Sequence, residues 1–526
     1  MSVVNKYDAI VIGGGHNGLT TAAYLARAGK KVLVLERRHV LGGAAVTEEI
    51  YPGFKYSVCS YVVSLLKTNI IRELRLAEFG LELLPLESTF TPLENDYLLR
   101  TSDQDETYRE IYRHSPKDAE TYIRFGPLMG QIGMAVRPIL ETIAPNAILP
   151  SLSDLSSLKY LLSHFKSLSS EQFEYLCKLM TMSSADFLDE WFEYEPLKAT
   201  LSASGIIGTF MGPRSPGLAY VMLHHYLGDI DGSFRAWGFQ RGGTGAVSMA
   251  IARSVEHFGG QIITEAAVIK VITKNGSAIG VALNNGDEYF GRKIISGLDP
   301  KLTFLKLVEA NELPEDFVRD IRNFRIRGSS GKVNLALDAL PNFTVLPGDA
   351  HHMRGAISIS PTYDHLELAY DDAKYGNFSQ KPYMDIILPS VLDPAMAPPG
   401  KHVMSCFVQY APYAIKGGWD DAKREAFGDA VINTIAQYAP NIKDIILHRQ
   451  VLTPYDLEQT FGLTEGNIFH GELTLQQLFA LRPAVKWADY STPIQNYYQC
   501  GSGTHPGGGI TGSPGEMAAK QILRKW

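Results

Sequence analysis

An α/β fold organised around a dinucleotide-binding βαβ unit is predicted by three features of this sequence. Residues 8–36 read as apolar strand, glycine turn, small-residue helix and second apolar strand. A second glycine-rich segment, residues 501–512, precedes a helix at the far end of the chain. Between them, helical and β-prone stretches extend over more chain than one domain needs. With 526 residues, the protein exceeds the roughly 250 to 300 at which a single core stops growing, so at least two intertwined domains are expected.

The opening unit predicts a buried strand over 9–12, a helix over 19–28 ended by Gly29, and a strand over 32–35. Ala22, Ala23 and Ala26 let that helix lie close to a parallel sheet, and unbroken apolar strands indicate burial on both faces. The turn GGGHNG satisfies GxGxxG through Gly13, Gly15 and Gly18, in the required setting between strand and helix. Gly13 permits the tight turn, Gly15 lets main chain approach a pyrophosphate, and Gly18 lets helix and strand close up, while His16 and Asn17 open the helix whose N-terminus favours anions. Glu36 ends the second strand, placed for ribose hydroxyls and repelling a 2′-phosphate; Arg37 follows it. Gly42 and Gly43, with Ala44 after them, would bring main chain past the rest of an extended dinucleotide, a pair that FAD explains better than NAD.

From 102 to 226 the pattern is helical, with segments over 171–182 and 186–193 interrupted by Pro and Ser. Val247, Ile251, Val255 and Phe258 then mark one helical face, followed by strands over 261–272 and 278–283 and a turn at 284–287. The GGTG at 242–245 opens that helix without a preceding apolar strand, so it is not counted as a nicotinamide site. Residues 301–481 mix β-prone runs (333–337, 384–388, 402–409) with a helix over 422–438, an α+β pattern. The expected division is a discontinuous cofactor domain (1–100, 235–300, 482–526), a helical subdomain (101–234) and an α+β substrate domain (301–481). In the last segment Gly501, Gly503, Gly509 and Ile510 precede a helix starting near Gly515, giving the cofactor a second main-chain surface and sharpening the assignment to FAD.

Composition narrows the partners. A net charge of −7 without a basic stripe argues against nucleic acid. Four scattered cysteines, Cys59, Cys177, Cys406 and Cys500, offer neither a redox pair nor a zinc set and fit a reducing compartment. The first strand begins after about seven residues, which leaves no room for a targeting peptide and gives the expectation of a cytoplasmic protein. No stretch of about 18 apolar residues occurs, so no spanning helix is expected, whereas peripheral membrane contact and a homodimer remain compatible with the sequence.

GGGHNG, Gly42-Gly43, RGGTGA at 241–246, GLDP at 297–300, GNIF at 466–469 with Glu472, Arg482-Pro483 and GTHPGGG at 503–509 together resemble the phytoene desaturase branch of the flavin amine oxidase superfamily, over almost the whole chain. The resemblance implies a glutathione-reductase-type FAD-binding Rossmann domain with an inserted α+β substrate domain and a helical subdomain. It implies that Val268 lies on the strand whose main chain meets adenine, and that Glu472 and Arg482 border the flavin cavity. Two positions depart from the family pattern: Ala44 stands where many relatives have Arg, and Ser502 where an acidic residue is common. Eukaryotic relatives add a link to mitochondrial function.

A disulfide reductase would need a cysteine pair and a second dinucleotide fingerprint, and the sequence has neither. The expected activity is therefore dehydrogenation of a largely apolar small molecule, with hydride passing to the flavin. His505, Glu472 and Arg482 are the catalytic candidates, each weighed against a structural role. His224 and His225 are adjacent, so on a helix they point about 100° apart and do not form a metal pair. Residues 129–149 read as core packing or as the lining of an apolar tunnel. A carotenoid-type desaturase, an amine oxidase and a flavin-stabilised scaffold or regulator with little turnover are the alternatives.

Overall fold

The computed structural model describes residues 6–146, 150–230, 233–234 and 237–526. The end of the 129–149 segment and the domain boundaries drawn at 1 and 235 lie outside the described residues.

The first sheet has the order Gln261–Ile263, Val32–Leu35, Lys6–Ile12, Glu288–Ser296, Ser277–Leu283, Val268–Lys274, and Tyr497–Gln499 joins the C-terminal half of Glu288–Ser296. The strands from Gln261–Ile263 to Glu288–Ser296, with Tyr497–Gln499, run parallel; the other two form an antiparallel meander. The strand expected over 261–272 splits. Glu265 takes a left-handed conformation (φ 55°), and Glu265 and Ala266 donate to the carbonyls of Arg38 and Glu36, which breaks the extended run. One face carries the helices His16–Arg27, Gly245–His257 and Ser513–Arg524, joined through Leu19, Ala22, Val247, Ile251, Met517 and Ile522. The last of them begins two residues before the expected Gly515. Against the other face lie Phe304, Phe317 and Ile321 of the helices Pro300–Leu305 and Glu315–Asn323. Residues 300–323 thus pack on the first sheet, beyond the boundary expected at 300.

The second sheet has the order Ile446–Leu452, Ser330–Leu337, His402–Gln409, Tyr383–Ile387, Ala356–Ile359, Ser88–Pro92, Tyr97–Thr101. Its last two strands come from residues that the sequence reading groups with the cofactor domain. Ser88–Pro92 pairs parallel with Ala356–Ile359, and Gly355 makes the approach feasible, since a Cβ there would fall 2.0 Å from the Ser88 carbonyl oxygen. The outer face of the sheet is apolar: Val333, Leu335, Met404 and Cys406 pack under Phe427, Val431 and Ile435 of the helix Asp421–Ala436. The inner face carries Ser330, Lys332, Asn334, Ser405, Gln409, Tyr383, Asp385 and Ser358, all buried.

Helices from Gln104–Tyr112 to Leu218–Tyr226 form the helical subdomain over that inner face. Those expected over 171–182 and 186–193 appear as Ser170–Thr181 and Ser184–Asp189. Met129, Ile132 and Val136 of Pro116–Glu141 are buried with Phe125, Leu179 and Phe187, so the described part of 129–149 contributes to the core.

Candidate functional site

Parallel strands end together at Ile12, Leu35, Ser296 and Gln499, and beyond such ends α/β sheets bind their ligands. Gly13 follows the first strand at φ +94°, and a Cβ on Gly18 would fall 2.3 Å from the Gly13 carbonyl oxygen, so turn and helix can close only through glycine. The space beside Gly15 is open: a Cβ there meets nothing nearer than the Gly42 carbonyl oxygen at 4.0 Å. Gly42 N–H donates to the Gly14 carbonyl (2.9 Å), which seats the 42–43 pair against the turn. The Glu36 carboxylate is buried and accepts from the Gly14 and Arg38 N–H groups at 2.7 and 2.9 Å, locking its orientation at the strand end.

The C-terminal segment closes the cradle. Asn17 Nδ2 donates to Ser502 Oγ (2.9 Å), Thr21 Oγ1 donates to the Gly515 carbonyl (2.9 Å), and His16 Nε2 lies 3.2 Å from the Gly509 carbonyl. The helices His16–Arg27 and Ser513–Arg524 both start without a side-chain cap. Ser513 N–H is taken by Thr511 Oγ1 at 3.0 Å, and the other first-turn N–H groups of the two helices are the donors left for an anion or an electron-rich ring edge. The helix Gly245–His257 differs: Thr47 Oγ1 and Ser57 Oγ accept from Gly245 and Thr244 N–H at 2.9 and 3.1 Å, so RGGTGA serves the packing of that helix. Asn17 Oδ1 and Gln499 Oε1 are buried acceptors without a hydrogen-bond partner among the described residues. An extended dinucleotide fits this arrangement, with phosphates at the Gly13–Gly18 turn, ribose at Glu36 and the flavin end toward 501–510.

The structure spreads the predicted residues over distinct roles. Gly501 and Gly503 are needed for contacts within the protein, where a Cβ would fall 2.7 Å from the Gly297 carbonyl oxygen and 2.4 Å from Pro300. Gly509 and Ile510 lie beside Leu65 and the first helix. Val268 begins its strand half-buried in the cofactor-domain core. Ala44 accepts from Ser60 through its carbonyl (2.9 Å), which carries the chain from the glycine pair toward the second sheet. The Arg37 guanidinium donates to the Thr460 carbonyl (2.7 Å) at the end of the helix Pro454–Phe461.

The three catalytic candidates are all held by contacts within the protein. Glu472, fully buried, forms a two-point ion pair with Arg327 at 2.7 and 2.9 Å. Arg482, also fully buried, donates to the carbonyls of Phe469, Gly471, Glu472, Gln477, Ser502 and Thr504, stitching the 469–477 loop to the glycine segment. His505 Nε2 meets the Ile139 carbonyl (3.1 Å), and burial lowers its pKa to about 3. His224 and His225 are likewise pushed down by burial, to about 3 and 4.

Sequence reasoning missed the inner face of the second sheet. Lys332, 1% exposed, donates to the Ser57 carbonyl (3.1 Å), Asn334 Oδ1 (3.0 Å) and Ser405 Oγ, and burial lowers its pKa to about 8. Its Nζ lies 5.8 Å from the Tyr61 ring, which stacks on Phe407 (5.4 Å). Tyr61 Oη donates to Asp385 Oδ2 at 2.6 Å, and burial raises the Asp385 pKa to about 6. Polar residues alternating at 330, 332 and 334 inside an apolar strand were the available signal. A small cleft of about 70 Å³, lined among others by Lys67, Arg137, Leu140, His224 and Pro506, opens beside the glycine segment.

Gly18→Ala is expected to cost about 1–3 kcal/mol by forcing the turn apart and to give colourless protein. Gly126→Ala, where nothing lies within 4 Å of the added Cβ, is the neutral control. Flavin absorbance per chain and thermal melts measure both, and a Gly18→Ala protein with full flavin would refute the cradle.

Comparison with known proteins agrees with this geometry. The model of the flavin containing amine oxidoreductases matches residues 18–523. Pyridine nucleotide-disulfide oxidoreductase domain-containing protein 2 of Rattus norvegicus is 42% identical over 99% of this chain and 94% of its own. A limonene dehydrogenase polypeptide of Castellaniella defragrans is 26% identical, over 100% of this chain and 96% of its own. The solved structure of putrescine oxidase bound to putrescine shares the fold, with a TM-score of 0.60 at 15% identity over 99% of both chains. A matching cradle at both ends and a family match spanning nearly the whole length place this chain in the flavin-containing amine oxidoreductase family, as an FAD-dependent oxidoreductase.

Proposed function

We propose that the protein dehydrogenates a largely apolar small molecule held between the inner face of the second sheet and the helical subdomain, with Asp385 accepting the proton released. FAD, when bound, supplies the acceptor for the hydride. The observation that carries this reading is the buried wall itself: Tyr61, Tyr220, Tyr383, Phe407 and Phe469 belong to one apolar cluster, and within it Asp385 has a hydroxyl partner but no cation among the described residues. Asp385 and Tyr61 retain 8% and 6% exposure, whereas Lys332 retains 1%. Aromatic rings orient an apolar substrate and exclude water; Tyr61 orients the carboxylate. A relative named for limonene, a hydrocarbon, supports an apolar substrate.

Anaerobic mixing of the holoprotein with terpenes, polyenes and alkyl amines, followed through the flavin band, tests the proposal. Asp385→Asn is expected to slow flavin reduction by about 10²-fold or more and to remove a rise in rate through pH about 6. The sign for stability is opposite. A carboxyl whose pKa is raised by folding stabilises below its unfolded value, and that contribution is lost as pH rises through about 6. Asp385→Asn should therefore melt higher than the parent above pH 6, by up to about 3 kcal/mol. A variant that reduces its flavin at the parent's rate and with the parent's pH profile would overturn the assignment of Asp385, and bleaching by no member of the panel would overturn the substrate class.

A further inference from the structure

The helix Leu152–Ser167 is fixed to the body along one side only. Leu161 is buried, Leu158 and Phe165 are half-buried, His164 Nε2 meets the Ala135 carbonyl at 2.7 Å, and the Ser151–Asp154 capping box faces Asn146 N–H. At about 100° per residue, Leu152, Leu155, Lys159, Leu162 and Lys166 fall within an arc of roughly 80° on the opposite side. The three leucines are 87%, 50% and 61% exposed. Met134 on the adjoining helix Pro116–Glu141 and Phe173 in the first turns of Ser170–Thr181 are also half exposed. Monomeric soluble proteins seldom leave so many large apolar side chains bare on one element.

We propose that this stripe docks on an anionic phospholipid surface. Three observations favour lipid over a second copy of the chain. Charges on the outward arc are of one sign, Lys159 and Lys166, in a protein of net charge −7; the single carboxylate of the helix, Asp154, is turned to its own N-terminus and to Asn146 N–H. Lys159 stands at the middle of the helix, so a two-fold contact of the stripe with itself would set Lys159 against its own copy. Leucines with interspersed lysines suit an interface, because the apolar groups enter the acyl boundary while long amino stems reach the headgroups. The surface is also continuous with a route inward. Ala135 holds the outward helix, and Ile139, one turn further along Pro116–Glu141, holds His505 of the glycine segment, with Arg137 and Leu140 lining the cleft between. Docking by this stripe would turn that cleft toward the bilayer. No helix among the described residues is long and apolar enough to cross a membrane, so the contact is peripheral.

Sedimentation of the full-length holoprotein with vesicles of phosphatidylcholine containing phosphatidylglycerol, and with phosphatidylcholine alone, tests this. The parent is expected to pellet with the anionic vesicles and to be released by high salt. Lys159→Gln with Lys166→Gln should lower partitioning on the order of 25-fold, about fivefold per lost charge. Leu155→Glu with Leu162→Glu should abolish it, whereas Leu368→Glu, at an exposed leucine on another helix, should leave it unchanged. Flavin absorbance and melting temperature monitor folding of every variant. Absence of parent binding to either vesicle, or equal binding by the Leu155→Glu/Leu162→Glu protein, overturns the proposal. So does a dimer of the parent, seen by light scattering, that this same variant dissociates, since the stripe would then be a contact between copies.

Discussion

Acidification from about pH 7 to about pH 5 is expected to release the flavin and unfold the protein. His224, His225 and His505 are 1–4% exposed and are held neutral by burial, with pKa values lowered to about 3, 4 and 3. A histidine depressed in the folded state contributes stability above its unfolded value, and that stability is lost as pH falls toward the folded value. Between about 6.5 and 5, each buried ring left uncharged forfeits roughly 2 kcal/mol, so the three together remove about 6 kcal/mol, against which protonation of Asp385, raised to about 6, returns only about 1 kcal/mol. Total stability is only about 5–15 kcal/mol. His16 and His470, half-buried and lowered to about 4, act in the same direction. Their placement makes loss of flavin part of the same event, because His16, His224 and His505 all adjoin the 505–509 segment. Thermal melts and flavin fluorescence across this range measure the effect, and His224→Gln with His505→Gln should flatten the profile. A parent melting temperature constant from pH 8 to 5 would contradict this account.

Arg482→Lys is expected to be nearly as damaging as Arg482→Met. The guanidinium satisfies six main-chain carbonyls in a fully buried setting, and its planar fork reaches both sides of the fold at once. Gln477 Nε2 also donates to the Glu472 carbonyl, so five of the six depend on Arg482 alone; an ammonium offers three donors, and at least two carbonyls would be left without a partner. At about 1–3 kcal/mol for each stranded group, the loss is on the order of 5 kcal/mol. Protein that expresses, holds flavin and melts like the parent after Arg482→Lys would show that the carbonyls find other donors.

Periodicity and glycine placement made the cofactor domain readable. The GGGHNG turn, the strand at 32–35 and the 501–512 segment all carry their geometry in local sequence, because φ > 0 and close main-chain approach leave few residue choices. The other parts required long-range pairing. Nothing near Ser88 indicates that its strand will join Ala356–Ile359, some 270 positions away, and Glu265 breaks a run that reads as one strand. Glu472 and Arg482 stand out in the sequence as candidates bordering the flavin cavity, with a structural ion pair as the alternative, and their contacts depend on Arg327 and on carbonyls distributed between 469 and 504. Lys332 and Asp385 escaped notice because a charged residue inside an apolar strand gains meaning only once both faces of the sheet are assigned.

The pairing of Tyr497–Gln499 with Glu288–Ser296, and of the helix Ser513–Arg524 with the first glycine turn, sets the order in which the protein can mature. During synthesis one half of the cradle waits for the other. Until residues 501–524 have emerged, the Gly13–Gly18 loop has no opposing wall, and the intervening 480 or so residues must stay soluble around an unfinished centre. Flavin can act as a ligand that locks the assembly only once both segments are in place.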